Sequence, residues 1–283
     1  MKKFIIAAII SSLIIPNAVF ANESFNKELM DKAISNLNVN TQELNQEQMV
    51  KYHTDLNNEY VRLIKEREAQ LEKERKEKEQ KLINEKFANL KEGTIEHRKQ
   101  VLRFQAANNL LVDGNLGPAT KEALVESKKP VDKIEKPPTD GRWIAVDFSL
   151  RNLTLYEGSK VIKKFPVTVG KNGSQTPTGK TKIVNKTKNR RWNGAGKYKP
   201  IAGGSPKNPL GPRWLGLSSN IGTGYGIHGT NDEWSIGKNA SLGCIRMLND
   251  DAIELFDMVS EGAPVWLGTT EKLESWGLIK NSR

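Results

Sequence analysis

The sequence has one cysteine in 283 residues, Cys244, and three histidines. This scarcity excludes a disulfide-stabilised fold and the cysteine-rich kinds of zinc site. A metal centre would need more ligands than His228, Cys244 and Asp232 supply, so we expect neither a metal nor another cofactor.

Long apolar runs are absent after the N-terminus. There, Lys2 and Lys3 precede an apolar run over 4–19, and small residues follow it up to Ala21. This pattern predicts a signal peptide over residues 1–21 and an exported protein, in the periplasm, in the cell wall or outside the cell. A membrane anchor is the alternative, but the run of about 16 residues is short for a bilayer span of roughly 20. Lipid attachment through a cysteine is excluded, because none follows the cleavage site closely.

Export makes the lone thiol informative. In an oxidising compartment paired cysteines usually form disulfides, and Cys244 has no partner within the chain. It is therefore a buried inert thiol, an intermolecular link or a reactive thiol.

Acidic residues are scarce in the C-terminal half. Residues 141–268 contain 18 Lys and Arg but nine Asp and Glu, which accounts for most of the net charge of +11. For an exported protein this predicts anionic envelope polymers or carboxylate-bearing substrates as partners, and no nucleic acid. A general contribution to solubility is the alternative.

The N-terminal half has a helical pattern. Charged residues at i,i+4 spacing fill residues 40–90, and Asn40 with Glu43 resembles a capping box. We expect residues 22–95 to form a long charged helical spacer, or a helix folded back on the body. The partial apolar stripe stops before 72–81, which argues against a continuous coiled coil.

Residues 96–126 are predicted to be a small helical module. Within them Phe104-Gln105, Asp113-Gly114 and Leu116-Gly117-Pro118 resemble one repeat of the peptidoglycan-binding helical domain. The resemblance implies wall binding, and a packing module is the alternative. Residues 127–140 have three prolines and few apolar residues, which predicts a linker.

Residues 141–268 are predicted to be a β-rich domain with its own core, followed by a tail over 269–283. The fold class is therefore multidomain, an α-helical region followed by a β-rich domain. One helix is expected after Asn249, with Asp251 and Glu254 as a capping box. We also expect residues 141–283 to fold alone.

The β-rich domain contains the candidate chemistry. A catalytic thiol needs a base, and His228 is the only histidine in this part of the chain. Backbone N–H groups of Leu242, Gly243 and Cys244 could form an oxyanion hole. Arg246 is expected on the same face as Cys244, where it could hold a carboxylate or make an ordinary ion pair. Together these residues predict a cysteine acyl-transfer site.

The segments "IHGT" (227–230) and "SLGCIRM" (241–247) closely resemble the L,D-transpeptidase catalytic domain, the YkuD family. "TPTGK" (176–180) and "NPLGPRWLGL" (208–217) match in the same order. Leu242 stands where many members have histidine. The resemblance implies a mixed β-sandwich with the cysteine and the histidine at one end of a groove.

The resemblance also implies a reaction on peptidoglycan stem peptides. Cys244 would attack the third residue's carbonyl, release D-alanine and pass the acyl group to an amine, giving a 3→3 cross-link. His228 would be the base, Gly229 would orient it through its backbone carbonyl, and Ser241 would hydrogen-bond within the site. Arg246 and Tyr225 would bind substrate, and carbapenem-type inhibitors would acylate the thiol.

Three alternatives stay open at this stage. Water as the acceptor would give a carboxypeptidase, and a protein amine would give wall anchoring. A non-catalytic wall-binding or spacer protein belongs to a different class. Sortases and NlpC/P60 peptidases differ from this chain in the spacing or the order of the histidine and the cysteine.

Overall fold

The computed structural model describes residues 23–87, 90–126 and 130–280. The predicted signal peptide lies outside these residues. The chain divides into two compact units, with the boundary between Gln80 and Lys81. Within the described residues, no helix combines the length and the apolar character that a membrane span requires.

The first unit contains a pair of packed helices. Helix α1 spans Glu23–Leu37, and the long helix α2 spans Gln46–Phe87 and continues into the second unit. Apolar side chains of α1 pack against one stripe of α2; the buried members are Leu29, Met30, Ala33, Leu56, Tyr60, Leu63 and Ile64. The sequence did not predict α1, so residues 22–95 are not a single helical spacer.

The start of α2 corrects the predicted capping box. Asn45 and Gln48 each accept the other's backbone N–H, at 2.9 Å in both directions. This reciprocal pair is a capping box, five residues after the predicted one. Asn40 instead accepts the N–H of Gln42 in a local turn.

The second unit begins with the helical module. Helix α3 spans Ile95–Ala107 and α4 spans Pro118–Glu126. Gln105 of α3, almost fully buried, donates to Asp113 Oδ1 (2.8 Å) in the connecting loop and accepts the N–H groups of Asp113 and Gly114. The Phe-Gln and Asp-Gly signals therefore belong together, because the glutamine side chain holds the turn.

Eleven strands follow within the described residues. They are β1 Asp132–Ile134, β2 Arg142–Asp147, β3 Asn152–Glu157, β4 Lys160–Gly170, β5 Gly179–Lys188, β6 Arg213–Leu217, β7 Gly226–His228, β8 Asn239–Ser241, β9 Ile245–Met247, β10 Pro264–Gly268 and β11 Leu278–Lys280. Nine of them form one mixed sheet in the order β3-β2-β10-β5-β6-β7-β9-β4-β8.

Strand β4 folds this sheet back on itself. Its first half pairs with β3 and its second half pairs with β9 and β8. The inward side chains of the facing strands form the main core with one face of helix α5, Asn249–Met258. This mixed, two-layered β domain is the predicted fold class.

The helical module is built into the β domain. Leu102, Ala106 and Val112 of the module form one buried cluster with Ile236 and Leu248. Asn152 Nδ2 donates to the carbonyl oxygen of Ala106 at 2.7 Å. A packing role for the module, one of the two alternatives from the sequence, is therefore part of its function.

Helix α5 lacks the predicted capping box. Its N-cap residue is Leu248, which makes no side-chain cap, and Asp251 is buried. Asp251 Oδ1 accepts hydrogen bonds from Arg103 of α3 at 3.0 and 2.7 Å. Burial raises the pKa of Asp251, which Arg103 opposes. The carboxylate joins the module to the β domain instead of capping its own helix.

The predicted linker and tail also belong to the fold. Strand β1 lies within the predicted linker and pairs antiparallel with β11, which lies within the predicted tail after the short helix α6, Thr270–Glu274. The Asp132 carboxylate accepts hydrogen bonds from Asn109 (2.7 Å), Tyr156 (2.6 Å) and Lys164 (2.7 Å). A buried carboxylate needs such partners, so β1 is fixed to both the module and the sheet.

Candidate active site

The histidine and the arginine of the site are neighbours on one face of the sheet. Trp214 on β6 lies opposite His228 on β7, and His228 lies opposite Arg246 on β9. Residues directly opposite each other on paired strands project to the same side. The sheet register therefore assembles a row that is scattered over 33 positions of sequence.

Cys244 lies two residues before Arg246, one member of this row. It lies in the turn between β8 and β9. His228, Cys244 and Arg246 all line one cavity of about 380 Å³. The structure thus brings together the thiol, the imidazole and the guanidinium that the sequence proposed.

The backbone holds the imidazole of His228 in one tautomer. Its Nδ1 lies 2.6 Å from the carbonyl oxygen of Gly229, and this oxygen can only accept a hydrogen bond. Nδ1 therefore carries the hydrogen, and Nε2 presents its lone pair. The predicted role of Gly229 agrees with this geometry.

Burial determines the charge state of His228 and Cys244 before substrate binds. It lowers the pKa of His228 to about 4, although the Gly229 hydrogen bond raises it; nearby Arg246 lowers it further. Burial raises the pKa of the Cys244 thiol, which the Gly226 backbone and Arg246 oppose. Both groups are therefore neutral near pH 7, because each charged form loses solvation.

Ser241 holds the nucleophile turn. Its Oγ donates to the carbonyl oxygen of Cys244 at 2.6 Å and accepts the N–H of Gly243 at 3.1 Å. This corrects the predicted oxyanion hole, because the Gly243 N–H is already used. The N–H groups of Leu242 and Cys244 stay as the proposed donors.

Tyr225 packs against the main core and lies beside Gly243, and its role in substrate binding stays a prediction. It does not line the cavity within the described part of the chain. A Cβ atom on Gly243 would lie 2.6 Å from Cε1 of Tyr225, and Gly243 has a φ of +111°. Glycine at 243 thus allows both the backbone turn and the close ring.

Three residues of the cavity were missed as individual candidates. The ring of Trp214 stacks on His228 with centroids 5.7 Å apart, and the Arg190 guanidinium lies 4.6 Å from the centroid of Trp214. Arg190 and Arg191 line the cavity with Arg246, and within the described residues no Asp or Glu does. The Arg-Arg-Trp run at 190–192 was a usable signal for this cationic wall.

The other two histidines of the chain, His53 and His97, lie outside this cavity. Over the residues that are described, no group of three His, Cys, Asp or Glu side chains is placed to hold a metal.

Comparison with known proteins identifies the class of the β domain. Residues 141–267 match the family described as the L,D-transpeptidase catalytic domain, YkuD. Residues 96–124 match a second family, described as a peptidoglycan binding domain.

Two curated relatives from Bacillus support the same assignment. The chain is 36% identical over 162 residues to L,D-transpeptidase YkuD of Bacillus licheniformis, covering 57% of this chain and 87% of that protein. It is 38% identical over 133 residues to L,D-transpeptidase YqjB of Bacillus subtilis, covering 46% and 73%. An L,D-transpeptidase structure from Xylanimonas cellulosilytica is 22% identical, with a TM-score of 0.44 over 60% of this chain and 79% of that one. The chain belongs to the L,D-transpeptidase family.

Proposed function

We propose that this protein is a cell-envelope L,D-transpeptidase that joins peptidoglycan stem peptides through an acyl-enzyme on Cys244. One observation carries the proposal. A thiol and an imidazole with a free Nε2 face one cavity whose charged wall is cationic. Such a wall suits a peptide that carries free carboxylates.

The first half of the reaction begins from neutral groups. At rest the thiol faces the carbonyl oxygen of Gly224, with Sγ and O 3.7 Å apart. On substrate binding, Nε2 of His228 takes the thiol proton while Sγ attacks the carbonyl carbon of the third stem residue. Concerted transfer avoids a preformed ion pair, which the buried site disfavours.

The thioester forms when the tetrahedral intermediate collapses. The C–N bond to the terminal D-alanine breaks, and the imidazolium returns its proton to the departing amine. The N–H groups of Leu242 and Cys244 are the proposed donors to the oxyanion. Arg246 binds a carboxylate of the donor stem.

The second half transfers the acyl group. An amine of another stem attacks the thioester carbon, His228 takes the proton of this amine, and Cys244 leaves as the thiolate and is reprotonated. The product is a 3→3 cross-link. The predicted signal peptide and the peptidoglycan-binding match of the module both support an envelope location.

Carbapenem labelling tests the nucleophile. The strained β-lactam amide should acylate the wild-type chain once, as seen by intact-protein mass spectrometry. Cys244→Ala should give no adduct. His228→Ala should react slowly, because a thiol without a base is hardly ionised at pH 7, and burial raises the pKa of Cys244 further. An adduct on Cys244→Ala would place the nucleophile elsewhere.

Muropeptide analysis tests the product. Sacculi incubated with the wild-type chain should gain 3→3 cross-linked dimers and free D-alanine, and those incubated with Cys244→Ala should not. Release of D-alanine without dimers would instead favour carboxypeptidase activity.

A further inference from the structure

A second cavity lies between the helical module and the β domain. Its volume is about 660 Å³. The module contributes the start of α3 and the turn at 113–117, and the β domain contributes Trp234 and Lys238. None of these residues lines the cavity that contains Cys244. The catalytic proposal therefore leaves this cavity without a role.

The two walls are fixed to each other. Arg98 of α3, which is buried, donates to the carbonyl oxygen of Ile236 at 2.8 Å. Lys99 forms a salt bridge of 2.7 Å with Glu233, the residue that precedes Trp234. The apolar cluster around Leu102 and Ile236 lies behind these contacts. A ligand would thus meet a preformed cavity, which lowers the ordering cost of binding.

Trp234 is the distinctive side chain of this cavity. It is 48% exposed, whereas most large apolar side chains of the second unit are buried. Tryptophan offers a broad apolar face and one N–H donor. An exposed indole at the edge of a polar cavity is suited to a ligand that has both an apolar face and hydroxyl groups.

The charges of the wall point to an uncharged ligand. The wall includes the acids Glu92 and Asp113 and the bases Arg98 and Lys238, together with His97 and Asn115. The acidic and basic side chains of this wall are equal in number. The cavity at Cys244 differs, because its lining among the described residues has three arginines and no acidic residue. Mixed donors and acceptors fit hydroxyl and acetamido groups, which both donate and accept.

We propose that this second cavity binds the glycan strand of peptidoglycan, with a sugar ring packed on Trp234. The proposal rests on the proposed function, which supplies the polymer, and the module's match to a peptidoglycan-binding family supports it. The site is composite, since the indole comes from the β domain. Lys238 directly precedes β8, and the nucleophile turn follows β8. A glycan held here would place its attached stems near Cys244.

Binding calorimetry tests the site. The full chain with Cys244→Ala, which prevents turnover, is titrated with chitotetraose and with peptide-free glycan strands prepared from sacculi. Adding Trp234→Ala should weaken binding at least about tenfold, as expected when an aromatic anchor is lost. Leu111→Ala is the matched control, since Leu111 is also 48% exposed, belongs to the module and does not line the cavity. It should bind within about twofold of the parent, and circular dichroism should show that both variants are folded.

Activity gives a second readout. Trp234→Ala with Cys244 intact should keep its rate of carbapenem acylation and its turnover of soluble tetrapeptides, but lose turnover of stems attached to glycan. Absence of glycan binding by the parent chain, or equal binding by Trp234→Ala, would overturn the glycan site. Displacement of the glycan by soluble stem peptides would do so too. Failure of Cys244 acylation would instead count against the proposed function, so the two failures are distinguishable.

Discussion

At the scale of single residues, the decisive feature is a histidine that is neutral at rest. The Gly229 carbonyl fixes its hydrogen on Nδ1, and burial lowers its pKa to about 4. His228 is therefore ready to accept a proton throughout the neutral range. Trp214, stacked on the ring, limits its orientation further.

This pKa predicts an unusual acid limit. The second-order rate constant of carbapenem acylation should increase as the pH rises, with an apparent pKa near 4. The reason is that protonated His228 cannot act as a base. Measuring the rate from pH 3 to 8, with circular dichroism at each pH, would test this. A limb near 6.5, the value for free histidine, would contradict the buried neutral imidazole.

The same shift has a consequence for stability. Since the folded pKa lies below the unfolded one, the neutral imidazole contributes stability above about pH 6.5. This contribution is lost as the pH falls from about 6.5 through about 4. The loss of folding stability between pH 6.5 and pH 4 should be smaller in His228→Gln than in the wild-type chain, because glutamine has no imidazole to protonate.

Arg246 should act mainly on substrate capture. It lines the cavity, and it makes no ion pair with any residue that the structure describes. A charge-assisted contact with a carboxylate is worth roughly 1.5–3 kcal/mol, so Arg246→Ala should lower kcat/KM for tetrapeptides by about one to two decades.

Two comparisons make the Arg246 test specific. Arg246→Lys keeps the charge but loses the planar fork, and should fall between the wild type and Arg246→Ala. Reactivity with a small uncharged thiol reagent should drop less than kcat/KM, since Arg246 only assists thiol ionisation. Equal losses in the two assays would mean that Arg246 holds the loop together.

At the scale of elements, the short strand β1 has an effect beyond its three residues. Its Asp132 is the counter-charge of Lys164 on β4, and their side chains are 0% and 5% exposed. Lys280 on β11, which pairs with β1, is also buried; burial lowers its pKa to about 8, which Asp147 and, less strongly, Asp132 oppose. One carboxylate thus links β1, the sheet and the C-terminal strand.

Asp132→Asn should therefore destabilise the protein strongly. Removing one partner of a buried pair costs about 3–5 kcal/mol, because the remaining charge is left uncompensated. Thermal and urea unfolding of the second unit would measure this loss. Asp140→Asn, the same change at an exposed position eight residues later, is the control and should stay within about 0.5 kcal/mol of the wild type. Equal stability of the two variants would show that β1 is only loosely attached.

At the scale of the whole molecule, the compact unit that contains the candidate site is larger than the family match. Residues 81–283 form one unit, and the module, β1 and β11 all belong to it. Residues 141–283, which the sequence predicted to fold alone, would lack Asp132 and expose the apolar cluster around Ile236.

Two fragments would separate these expectations. Residues 81–283 should fold cooperatively and keep carbapenem acylation at the rate of the full chain. Residues 141–283 should be unstable or insoluble, since they leave Lys164 buried without its carboxylate. A stable, fully active 141–283 fragment would refute the integrated unit.

Local sequence patterns predicted much of this protein. Alternating apolar and polar residues predicted the β-rich character of residues 141–268, because each strand records which face is buried. The pairing of Cys244 with His228, and of both with Arg246, followed from residue chemistry and motif resemblance. Strands β1 and β11 lie in segments that were predicted to be a linker and a tail, since three residues are too few to show a period.

The sequence by itself determined the family and named the candidate nucleophile and base, because these depend on residue type and short spacing. Only the tertiary structure decided which polar groups are partners. It assigned Asp251 to Arg103, Asp132 to Lys164, and the Gly243 N–H to Ser241. It also joined the predicted linker to the predicted tail. The physical reason is that burial makes every polar group find a partner, and that partner can lie far away in sequence.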